Sequence, residues 1–101
     1  MKTGNVVKLK MKKVLRIGMA QDETLYEGKL QWYDEKEERI YLVLQDENLM
    51  NISLDAIYQC EILSESNRFI CDGRVEERYC SSNGKTVKIR IKNGFSKINL
   101  K

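Results

Sequence analysis

Strict alternation of apolar and polar residues is clearest in Thr86-Val87-Lys88-Ile89-Arg90-Ile91-Lys92, where Val87, Ile89 and Ile91 share one face and the three cations the other. A period of two predicts a half-buried strand, because successive side chains point to opposite faces of a sheet. Ser81-Ser82-Asn83-Gly84 precedes it, and Asn-Gly supplies the positive-φ positions of a tight hairpin. The partner strand is therefore expected at Arg68 to Tyr79, with Phe69, Cys71, Val75 and Tyr79 facing inward. Gly73 in that run predicts a bulge or sharp bend.

Leu25 to Tyr33 and Arg39 to Gln45 read as a second antiparallel pair joined by Asp34-Glu35-Lys36-Glu37-Glu38. Ile40, Leu42 and Leu44 alternate with Tyr41 and Val43. A strand apolar on both faces is expected to be central or covered. Ala56 to Leu63 places Ala56, Tyr58, Cys60 and Ile62 on one face, and Ser64-Glu65-Ser66-Asn67 turns it into the Arg68 strand. Asn93-Gly94 marks a further turn before Phe95 to Leu100. Val6 to Ile17 alternates through Val7, Leu9 and Met11 and then less cleanly through Leu15 and Ile17; it reads as a strand, with a first helix as the alternative. About six or seven short strands with near-regular turns predict one all-β domain over residues 1–101, a small antiparallel β-barrel or a sandwich. Leu42, Tyr58, Val87, Ile89 and Ile91 are expected in its core.

A chain of 101 residues suits a single core that hides roughly two-thirds of the surface of the unfolded chain. No run approaches the about 20 apolar residues of a membrane span. Met1-Lys2-Thr3-Gly4-Asn5 lacks an apolar signal region, so a cytoplasmic location without membrane insertion is the expectation. Cys60, Cys71 and Cys80 form an odd, widely spaced set in a chain without histidine. That argues against a disulfide framework or a metal site and for small buried fillers at Cys60 and Cys71. Cys80, beside a turn, is the one expected to be exposed. Without histidine there is no Ser-His or Cys-His couple, and neither catalytic residues nor a cofactor are nominated. The expectation is a protein that is not an enzyme.

The net charge of +3 conceals segregation. Lys2, Lys8, Lys10, Lys12, Lys13 and Arg16 precede any acid, residues 22–65 are mainly acidic, and the chain from Arg68 onward is basic again. One reading is a cationic surface for nucleic acid or another anion. It would join Lys8, Lys10 and Lys12 to Lys88, Arg90 and Lys92 on an OB- or Sm-like barrel, and it requires the two rows to adjoin. The other reading is cancellation between acidic and basic strands in the folded chain. Trp32, Tyr33 and Tyr41 stand among acids in sequence, whereas a nucleic-acid surface interleaves aromatics with cations.

Arg74-Val75-Glu76-Glu77-Arg78 resembles the RxxxR motif with which PilZ domains hold cyclic di-GMP, and two guanidiniums can share one dianion. Asn51-Ile52-Ser53-Leu54-Asp55-Ala56 approximates the second PilZ element, with Ala56 in place of glycine and the motif order reversed. Cyclic di-GMP binding through Arg74 and Arg78 is thus an alternative reading. A broader resemblance runs through Tyr26-Glu27-Gly28-Lys29-Leu30, Ile40-Tyr41-Leu42, Ile52 to Tyr58 and Gly73-Arg74-Val75. These segments resemble, in order and spacing, the PilZN barrel that precedes the PilZ domain of YcgR-type flagellar brake proteins. The resemblance implies a stand-alone interaction barrel with a protein partner, connected to cyclic-dinucleotide signalling or motility, and no binding residues carry over from it. An exposed edge strand would allow a homodimer.

Overall fold

The alternating runs form seven strands in a computed structural model that describes residues 1–45 and 49–99. They are β1 (Val6–Val14), β2 (Leu25–Asp34), β3 (Arg39–Leu44), β4 (Ala56–Leu63), β5 (Asn67–Ser81), β6 (Gly84–Ile91) and β7 (Ser96–Asn99), with a 3₁₀ turn at Leu49–Asn51. The sheet order is β4-β1-β2-β3-β6-β5-β7, and an additional β4–β5 pairing closes the first six strands into an antiparallel barrel. β7 lies outside the closed ring, paired with Asn67–Ile70 of β5.

Closure depends on β5, which is long enough to serve two partners. Residues Arg68 to Arg74 pair with β4, and Gly73 to Ser81 pair with β6. The changeover falls at Gly73, where the strand passes so close to β6 that a Cβ would lie 2.4 Å from Ile89 Cγ2 and 3.0 Å from the Arg90 carbonyl. Gly28 has the same role on β2: its missing Cβ would sit 2.4 Å from the Val43 carbonyl oxygen. Both glycines hold places where only a bare backbone fits.

Three register shifts add curvature. They make Lys12 of β1, Gln31 of β2 and Glu76 of β5 the extra residues of β-bulges. Each reverses the inward–outward parity of the residues beyond it. Tyr79, expected to face inward, is therefore 37% exposed, and Arg78 instead takes the inward register opposite fully buried Val87. The bulge lies at Glu76 while the sharp approach lies at Gly73, so one expected irregularity is two. Likewise β1 ends at Val14, and Leu15 and Ile17 are exposed rather than continuing its apolar face. The helix considered for residues 6–17 does not form. Gln45 lies just beyond β3, and Leu100, expected at the end of the last strand, lies outside the described residues.

The barrel is filled by the inward residues of all six strands, among them Leu42, Tyr58, Val87, Ile89 and Ile91 as expected. Fully buried Ile52, from the segment between β3 and β4, completes the core. Phe95 packs edge-on against Tyr33 and Phe69, with centroids 5.3 and 6.2 Å apart. Ile89→Ala should cost about 2–5 kcal/mol by opening a cavity, and Gly28→Ala about 1–3 kcal/mol by forcing β2 off β3. Denaturant melts of both variants test this; a midpoint unchanged in either contradicts the corresponding packing.

Candidate functional site

The outer face of β2-β3-β6-β5 carries two cross-strand rows. In the first, Trp32, Tyr41, Lys88 and Glu77 are successive partners across four strands. The bulge at Gln31 sets Trp32 outward, where it stacks on Tyr41 with centroids 5.3 Å apart and planes at 17°. Trp32 remains 55% exposed. Lys88 Nζ lies 5.8 Å from the centre of the Tyr41 ring and 3.6 Å from Glu77, a cation over a π-face beside an acid. Desolvation would lower the Lys88 pKa, but Tyr41, Glu77 and Glu76 outweigh it and raise the pKa above that of an ordinary lysine.

The second row, two residues further along β3 and β6, aligns Arg39 of β3, Arg90 of β6 and Arg74 of β5. Like charges directly opposite each other destabilise a sheet. Arg39 is relieved by Glu76, whose carboxylate accepts from Nε at 2.5 Å. Arg74 donates to the Leu54 carbonyl at 3.2 Å and lies 3.8 Å from Asp55. That carboxylate is shared with Arg16 at 3.7 Å. Among the described residues neither Arg90 nor Lys92 forms an ion pair. Arg74, Arg90 and Lys92 line an open cleft of ≈ 650 Å³ together with Glu38, Leu54 and Glu76. The Glu38 carbonyl accepts from Ile91 N–H at 2.9 Å, which ties the β2–β3 turn to this cleft.

Arg74 and Arg78 do not project side by side, because the bulge at Glu76 lies between them. Glu76 reaches over the outer surface to Arg39. Arg78 Nη1 donates to the carbonyls of Ile52 and, at 3.3 Å, Met50. Ser53 N–H donates to the Tyr58 hydroxyl at 2.9 Å, so two side chains hold the segment that carries Ile52 into the core. Burial raises the pKa of Tyr58.

The basic residues of β1 are distributed differently. Lys8 is partnered across the sheet by Glu27 and Glu61, Lys10 by Leu25 and Gln59, and Lys12 bonds Asp72 at 2.7 Å. β1 and β6 stand across the ring from one another, so the rows Lys8-Lys10-Lys12 and Lys88-Arg90-Lys92 do not run side by side. Their ends approach around Asp72, whose carbonyl accepts from Lys92 N–H at 2.8 Å, and Lys12, Lys13 and Lys92 line one recess there. The union of Trp32 and Tyr41 with Lys88 was not legible in the chain. Both aromatics stand among acids along the sequence, and only strand pairing brings them to a basic strand.

Cys60 and Cys71 are buried cross-strand neighbours, and Cys80 is exposed. A hydrogen bond with Cys71, with burial, pushes the Cys60 thiol well above its ordinary pKa. Tyr26 donates to Asp22; burial and that carboxylate push its hydroxyl up to about 12.

No family model matches the chain, and no curated protein or solved structure is significantly similar to it. The small closed antiparallel barrel expected from the pattern is present, with its one added strand.

Arg78→Ala should cost about 1–3 kcal/mol, the range for losing hydrogen bonds to a charged group, whereas outward Arg74→Ala should stay within about 0.5 kcal/mol. Paired thermal melts check this, and equal effects would contradict the inward placement of Arg78.

Proposed function

We propose that the chain is a non-catalytic interaction barrel of the PilZN kind that binds a protein partner through the outer face of β2, β3, β6 and β5. The stack of exposed Trp32 on half-buried Tyr41 carries this reading. Stacking fixes both rings before any partner arrives, so little side-chain freedom is lost on binding. Tryptophan, tyrosine and arginine are the residues in which interface energy concentrates, and here the stack adjoins the row of Arg39, Arg90 and Arg74. Glu76 and Glu77 lie among those cations. Such a mixed face suits a protein surface with charges of both signs. The resemblance of the strand segments to PilZN barrels supports a place in cyclic-dinucleotide signalling or motility control.

One observation favours a second reading. Aromatics beside cations are also what single-stranded nucleic acid requires, and Trp32, Tyr41 and Lys88 supply that combination. Counter-ion release, however, demands several cations free to meet phosphates, and Arg39 and Lys88 already have acid partners.

Trp32 is the single tryptophan of the chain, so its emission reports on this face alone. Proteins captured by the wild-type chain, purified and added back, should shift that emission to the blue. Trp32→Ala should weaken their binding by about 2 kcal/mol, roughly 30-fold. Undiminished binding by Trp32→Ala contradicts the assignment of the face. Salt-sensitive quenching by single-stranded RNA, without a protein partner, would establish the second reading instead.

A further inference from the structure

We propose that the cleft lined by Arg74, Arg90 and Lys92 is a binding site for a small phosphorylated anion. The three-arginine row stacks like charges across adjacent strands, an arrangement that weakens the sheet unless an anion answers it. Glu76 answers Arg39 at one end, and a shared Asp55 partly answers Arg74 at the other. Arg90, in the middle, is exposed and has no acid partner among the described residues, and Lys92 follows it on the same outward face in the same condition. The missing charge is thus located between Arg74, Arg90 and Lys92, where the cleft of ≈ 650 Å³ lies.

Two guanidinium forks and one ammonium ask for a group with more than one negative charge and several acceptor oxygens. A phosphate or pyrophosphate group meets both demands through charge-assisted, bidentate bonds. The volume is that of a small-molecule site. Glu38 and Glu76 bound the cations within the cleft; they would repel a continuous phosphate backbone but leave room for one compact anion. The site differs from the Arg74–Arg78 pair of the RxxxR spacing, because Arg78 is turned inward to Ile52 and takes no part. It neighbours the Trp32–Tyr41 row but does not depend on that row binding a protein.

The test is a titration of the full chain with inorganic pyrophosphate at constant ionic strength, followed by amide chemical shifts and by thermal melts. Saturable shifts confined to Leu54, Arg74 and residues 90–92, with a rise in Tm, are expected. Arg90→Glu should weaken binding by about tenfold or more. In the absence of pyrophosphate it should raise Tm, because an acid then separates Arg39 from Arg74. Should Arg90→Glu fold poorly, Arg90→Gln, which removes charge alone, should show the same loss of binding. Lys10→Ala, an exposed cation on the far side of the ring, should bind as the wild type does. Wild-type affinity in both Arg90 variants would overturn the proposal. So would non-saturating shifts spread equally over Lys10 and Lys97.

Discussion

The structure depends on one strand being shared. β5 pairs with β4 through its first half and with β6 through its second, and it turns from one to the other at a glycine pressed against Ile89 and the Arg90 backbone. Without that approach the six strands would remain an open sheet with two unpaired edges. Closure buries Val7, Leu9, Leu42, Tyr58, Val87 and Ile89 together. It also leaves room for Ile52 to be drawn into the core by the segment that Arg78 and Tyr58 hold.

Curvature has a second consequence, felt on the surface. Each bulge that bends a strand also changes which face the next residues occupy. At Glu76 this separates two arginines that would otherwise share a face. One becomes a structural tie to the Met50 and Ile52 carbonyls, and the other stays in an outward row. At Gln31 it sets Trp32 outward, onto Tyr41. The aromatic stack and the arginine row are both products of barrel geometry.

Folding sets part of the basic residues beside acids from other strands. Lys8 lies between two glutamates on neighbouring strands, Lys12 meets Asp72, and Lys88 meets Glu77. Such surface pairs contribute little to stability individually, but they decide where potential is left over. Arg90 and Lys92, beside the cleft and one row from the exposed tryptophan, are without an acid partner among the described residues. The mixed character of the face, aromatic in one row and cationic in the next, is the feature on which its binding chemistry turns.

The sequence by itself determined the all-β class, the positions of most strands and the inward set of β6, because a period of two is a local property of backbone geometry. It also marked Gly73 as a place of irregularity, since a glycine within a strand has few other reasons to be there. It did not determine that Tyr79 faces out, that Leu15 and Ile17 leave the core, or that Arg74 and Arg78 part company. Parity is carried along a strand only until a bulge, and a bulge depends on the closure of the whole sheet. Nor did it place Trp32 and Tyr41 beside Lys88, or Arg90 between Arg39 and Arg74. Those neighbours lie in different strands, and only the order and register of the closed barrel decide which residues stand opposite one another.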